Sequence, residues 1–149
     1  SVRAADLKGY QYSRDDVDAR SLANNYAQIL GQIFTHEVKP LEVEILVAEV
    51  GIATDGSSDQ MFHVMYDGTM VDERSTCVLG GDAEAISERL TAAFAEGLSL
   101  AAAISVAANA LSGPDRTIPS EELEVAVLAR SNGRRTFQRI AHSEVAAAR

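Results

Sequence analysis

A single cysteine, Cys77, stands in 149 residues. That excludes an internal disulfide framework and a cysteine-rich zinc site, and it fits a reducing compartment. Basic residues are also few. Lys plus Arg is 13 against 22 for Asp plus Glu, so the formal charge is −9. A chain this acidic has no general attraction for nucleic-acid backbones or anionic membranes. The one dense basic cluster is Arg134–Arg135, with Arg130 and Arg139 close by in sequence. Long apolar runs are missing too. The longest, Leu98–Leu111, falls short of the roughly 20 residues that span a bilayer, and Ser99, Ser105 and Asn109 interrupt it. The opening SVRAADLKGY has no apolar core of the signal-peptide kind. There is no low-complexity tract, which argues against wholesale disorder. Together these features predict a soluble, cytoplasmic protein with one domain over residues 1–149.

The pattern of what is present predicts helices and antiparallel strands. A helix over about 14–36 is signalled by a capping Ser13, by Asp15 and Asp16 in its first turn, and by Leu22, Tyr26, Ile29, Leu30 and Ile33 at helical spacing. Pro40 closes that region. Leu41–Val50 reads as a strand. Leu41, Val43, Ile45 and Val47 share one face, and the other face runs from Glu42 and Glu44 to Leu46, Ala48 and Val50. Gln60–Tyr66 is rich in strand formers, and Asp67-Gly68 is a hairpin signal leading to a partner strand at Met70-Val71. Thr76–Leu79 reads as a further short strand.

Two alanine-rich helices follow, at about 82–96 and 99–112. Asp82 and Ser99 stand at their cap positions, Gly97 ends the first, and Gly113-Pro114 stops the second. They are expected to lie side by side, with Ile86, Leu90, Phe94, Leu100, Ile104 and Leu111 buried. Glu122–Arg130 and Arg134–Ala141 read as a hairpin about Asn132-Gly133, and Ser143 is placed to cap a short tail helix. The order of elements gives an α+β fold with helices layered on antiparallel sheet.

Little in the pattern points to catalysis or to a cofactor. Gly80-Gly81 lies between strand and helix signals, but no Walker lysine follows and there is no G-x-G-x-x-G. It reads as a tight turn. His36, His63 and His142 are far apart in sequence, without a second His or Cys at ligand spacing, so no metal site is expected. His63 shares a strand face with Met61 and Met65 and reads as a packed or edge histidine. Cys77 reads as a buried structural thiol, since no lysine or arginine neighbours it to lower its pKa. Adjacent acids such as Asp15-Asp16, Asp72-Glu73 and Glu121-Glu122 read as solvated corners. Arg134–Arg135, ahead of Phe137, reads as a charge-guarded edge strand or as a partner contact.

Longer stretches carry a resemblance. ARSLANNYAQILGQIF (19–34), KPLEVEILVAEVG (39–51), MYDGTMVDE (65–73), LEVAVLAR (123–130) and RRTFQRI (134–140) are similar, in the same order, to the α-type subunits of the 20S proteasome of actinobacteria. GYQYSRDDV (9–17) and the Gly80-Gly81 helix start fit the same alignment. Leu41 departs from it, since an aromatic residue is expected after Lys39-Pro40. The resemblance also implies that family members carry a further N-terminal part. That part includes the gate segment, an outer helix, the first strands and the lysine that receives ATPase tails.

The implied fold is the N-terminal-nucleophile, proteasome-like four-layer αββα sandwich, with its N-terminal strands absent from these residues. The 149 residues are accordingly expected to belong to a longer polypeptide. The implied role is that of a non-catalytic subunit. It would form a heptameric ring with other α subunits, gate the proteolytic β rings, dock a ring-shaped AAA ATPase and admit unfolded protein substrates. No catalytic residue, metal or cofactor is implied, and nucleic acid and membrane are not among the partners. The loop that faces the β ring would correspond to Lys8, Gly9, Tyr10, Tyr12, Arg14 and Asp15. The alternative is an active hydrolase of the same fold using Ser1, with its free amine as base. Against it, Val2–Asp6 does not read as a buried strand, and Lys8 sits in a loop sequence. An unrelated acidic binding module is the third reading.

Overall fold

The computed structural model describes residues 18–39, 41–54, 56–132 and 135–149, apart from the Asn132 side chain. The chain divides into two compact units, Ser1–Ser75 and Thr76–Arg149.

In the first unit, helix α1 (Ala19–His36) begins at Asp18. Asp18 is extended, and its carboxylate accepts from the Ser21 amide at 2.8 Å. The helix therefore starts five residues later than the Ser13 signal predicts, because an extended Asp18 breaks helical continuity and caps the new start. Ser13 itself lies outside the described residues. Strands β1 (Ile45–Glu49), β2 (Gln60–Val64) and β3 (Met70–Glu73) form an antiparallel meander in that order. Val47 lies opposite Phe62, and Phe62 opposite Asp72.

One face of this sheet packs on α1. Ala19, Ala23 and Leu30 meet Phe62 and Val64, with Tyr26, Val43, Ile45, Val47 and Met70 around them. Small residues on the helix let it sit close to the sheet. The contact is closest at the β2–β3 hairpin. Gly68 has φ +88°, and a Cβ there would lie 2.6 Å from the Ala27 carbonyl oxygen and 2.8 Å from the Gly31 Cα. Only glycine meets both demands. Ile29, expected on the covered stripe with Leu30, is exposed, as is Phe34 one turn beyond Leu30.

In the second unit, helices α2 (Ala83–Ala93) and α3 (Leu100–Ser112) lie against one another. The Arg89 guanidinium donates to the Ala110 carbonyl at 2.9 Å. Ser99 caps α3 as expected, accepting from the Ala102 amide at 3.2 Å, and Gly113 ends it at φ +71°. Asp82 occupies the α2 cap position without a side-chain bond, because its φ −100° and ψ 23° are not the extended cap conformation. The helix ends at Ala93, before Gly97.

A turn at Ser120–Glu122 leads to β4 (Val125–Leu128), which pairs antiparallel with β5 (Phe137–Ile140). A short helix α4 (His142–Ala147) follows, with Ala141 rather than Ser143 at its cap. The core gathers Ile104, Ala108, Leu123, Ile140 and Val145. The expected burial is only partly met. Ile104 is buried, but Ile86 and Leu90 are half-buried, and Phe94, Leu100 and Leu111 are exposed. Thr76–Leu79 joins neither sheet. A short apolar run becomes a strand only where a neighbour accepts its backbone bonds. The fold is thus mixed helix and antiparallel sheet, as the sequence pattern requires.

Candidate functional site

The residues that the resemblance assigns to the β-ring contact, Lys8, Gly9, Tyr10, Tyr12, Arg14 and Asp15, lie outside the described residues, as does Ser1. The histidines sit on separate elements. His36, at the end of α1, is exposed, with Nδ1 at 3.1 Å from the Gln32 carbonyl oxygen. His142 is exposed at the start of α4.

His63 is different. It is 7% exposed, in the central strand β2. Its Nε2 lies 2.7 Å from Glu44 Oε2, and its Nδ1 lies 3.9 Å from Glu73 Oε1. Strand register explains the cluster. His63 pairs with Leu46 on one side and Val71 on the other. Glu44 and Glu73 stand two residues from those partners, on the same face by strand alternation. The 2.7 Å contact is a hydrogen bond, with Nε2–H donating to the carboxylate. At 3.9 Å the second contact is too long for a hydrogen bond. With a carboxylate facing each ring nitrogen, the imidazole ties the segment before β1 to the end of β3, and the arrangement supports a structural role. The sequence treats His63 as a packed histidine but does not reveal these partners. Alternation in Glu44, Leu46, Ala48 and in Met61, His63, Met65 was the available signal, and it becomes readable only once the hairpin register is fixed.

One carboxylate is electrostatically distinct. The Thr69 backbone amide donates to Asp67 at 2.8 Å in the β2–β3 turn. That bond first, then the Thr69 side chain, holds the Asp67 pKa below its ordinary value.

The remaining features are surfaces. On α1 and the hairpin, Phe34 and Tyr66 meet edge to face at 5.8 Å with both rings exposed. In the second unit, an apolar groove of about 310 Å³ runs between α3 and β4, lined by Leu100, Ile104, Leu111, Leu123 and Val125 among others. On β5, Phe137 is 61% exposed, and Arg139 lies 3.6 Å from Glu124 with both side chains in solvent. Surfaces of this kind suit protein contacts better than small-molecule chemistry. Among the described residues, no helix is long and apolar enough to cross a membrane.

No protein-family model matches the chain. Individual proteins do. The chain is 53% identical over 144 residues to a protein of Acidimicrobium ferrooxidans named Proteasome subunit alpha, covering 97% of this chain and 61% of that protein. It is 48% identical over 145 residues to the protein of that name from Sanguibacter keddieii, covering 94% and 56%. It is 50% identical over 142 residues to that of Saccharopolyspora erythraea, covering 93% and 55%. The chain therefore spans a little over half the length of these curated relatives. Across nearly all of its residues, this sequence is similar to actinobacterial proteins named Proteasome subunit alpha.

Proposed function

We propose that this chain is a non-catalytic α subunit of the 20S proteasome core. In this reading it forms the outer heptameric ring with further α subunits, gates the entry of unfolded protein to the proteolytic β rings, and docks a ring ATPase. Identity of about one half to several proteins named Proteasome subunit alpha carries the reading. Residues 1–149 would then form one domain, the C-terminal part of a four-layer sandwich, in the cytoplasm. The sheet face of β1 and β2 opposite α1 carries Leu46, Ala48 and Met61 beside the His63–Glu44 pair. The loop from Lys8 to Asp15 would meet the β ring, with Tyr10 and Tyr12 as anchors of the kind interfaces favour.

The test is an assay of the purified full-length protein against fluorogenic peptides, with and without β subunits, together with mass measurement under native conditions. Seven-fold rings, and cleavage only when β subunits are present, are the expected result. Cleavage by this chain alone, abolished by Ser1→Ala, would overturn it in favour of an N-terminal serine hydrolase. Substitution of Tyr10 and Tyr12 by alanine should weaken the joining of the α and β rings.

A further inference from the structure

Helix α1 is held at its start by more than its own cap. The Asp18 carboxylate accepts from the Ser21 amide, which is enough to begin a helix. A second carboxylate comes from the end of β1. Glu49 Oε2 lies 2.7 Å from the Ala19 nitrogen, so the Ala19 N–H donates to it in a part-buried setting. Two of the amides that a helix start leaves without helical partners are thus met by negative charge, which also suits the positive end of the helix dipole. By strand alternation Glu49 stands on the α1 face of the sheet, with Ile45 and Val47 of the core.

Arg20 ties the same turn to the other two strands. Its guanidinium carbon lies 4.9 Å from the centroid of the buried Phe62 ring on β2, and its Nη2 lies 3.5 Å from Asp72 Oδ2 on β3. Both partners of that ion pair are exposed, so it adds little. The Glu49 bond differs, because it is charge-assisted and joins residues 30 positions apart. What it adds to the cap is a fixed place on the sheet for the start of the helix.

Residues 8–15 come just before this turn, and Asp15 stands three positions ahead of Asp18. Chain three residues from a fixed Cα lies within about 11 Å of it by covalent geometry alone. Anchoring the turn therefore narrows what the preceding segment must search to reach a partner. Ordering already completed in the free protein does not weaken binding.

We propose that Glu49, acting through the Ala19 amide, is a positioning residue for the contact of residues 8–15 with the β ring. The inference rests on the reading that this segment meets the β ring, and it adds the group that sets the segment's place.

The experiment uses the full-length protein with β subunits. Joining of α and β rings is followed by sedimentation and native mass spectrometry, association of α copies by the same methods without β subunits, and folding by circular dichroism. Glu49→Ala should weaken joining to β subunits by about tenfold, the size of one hydrogen bond to a charged acceptor, and leave association of α copies unchanged. Glu49→Gln keeps an acceptor oxygen and should recover most of the loss. It also carries the test if the alanine variant does not fold. The cycle with Tyr10→Ala/Tyr12→Ala separates positioning from plain stabilisation. Once the tyrosines are gone, removing Glu49 should cost no further joining, because both changes act on one contact.

Three results would overturn the proposal: wild-type joining by folded Glu49→Ala, losses that add across the cycle, or equal weakening of the association of α copies. Should Tyr10→Ala/Tyr12→Ala join β subunits as the wild type does, the β-ring contact of residues 8–15 would itself fall, and this role of Glu49 with it.

Discussion

The two units bury their apolar side chains to different depths. In the first, Ala23, Phe62 and Val64 are wholly buried between one helix and a three-stranded sheet. In the second, Val145 alone among the described residues reaches that depth, and α2 has no buried residue at all. Composition does not explain the contrast, because α3 is the more apolar helix by sequence, as LAAAISVAANALS. The cover does. A helix laid along a sheet face meets side chains from several strands at once. The α2–α3 pair is rich in small alanines, and the hairpin packed on α3 has two strands. Exposed Leu100, Leu111 and Phe137 are what remains. Apolar periodicity marks which face of an element is suited to burial, whereas burial itself depends on how much neighbouring surface is supplied.

Core truncation should show this contrast most visibly. Phe62→Ala removes a fully buried ring and should cost about 3–5 kcal/mol in urea unfolding, while Leu90→Ala, on half-buried α2, should cost about 1 kcal/mol or less. Equal costs would show that α2 is as deeply packed as the sheet. Next comes the hairpin seat. Gly68→Ala combines a left-handed backbone with a clash against α1, and the sum should be about 2–4 kcal/mol. Gly97→Ala, at φ +76° with open space about its Cβ, should cost only the conformational part, about 1–2 kcal/mol. The caps sharpen the comparison within the second unit. Ser99→Ala should cost about 1 kcal/mol, whereas Asp82→Ala should be close to neutral, since the Asp82 side chain caps nothing.

The smallest effect concerns acid. The folded-state pKa of Asp67 is lowered, so its contribution is present above its unfolded value. That contribution fades as pH falls through the lower folded value. Comparing Asp67→Asn with the parent chain across acid pH should show the difference between them shrinking on the acid side. An unchanged difference would mean that the Thr69 amide does not stabilise the charged form.

The sequence makes the elements more legible than their surroundings. Helix α3, with Ser99 before it and Gly113 after it, and the hairpin around Asp67-Gly68 follow directly from residue chemistry, because the interactions that fix them lie within a few positions. The start of α1 is misplaced because Ser13 and Asp18 are both good caps, and local chemistry does not rank them. Thr76–Leu79 fails as a strand for a different reason, since pairing is not a local property. The candidate surfaces divide in the same way. Arg134–Arg135 stands out in the sequence as a cluster. The link of Glu44 and Glu73 through His63 needs three strands in register before it exists.

The seat of Gly68 on α1 also bears on the order in which the first unit assembles. The contact joins Gly31 to Gly68 across 68 − 31 = 37 positions, while the meander closes over the shorter links 50–59 and 65–69. Short closures cost less chain entropy than long ones. The three strands can therefore pair before the helix arrives, and docking of α1 onto the finished turn becomes a late event. A side chain added at Gly68 would then mainly hasten the departure of the helix, seen as faster unfolding with a nearly unchanged folding rate.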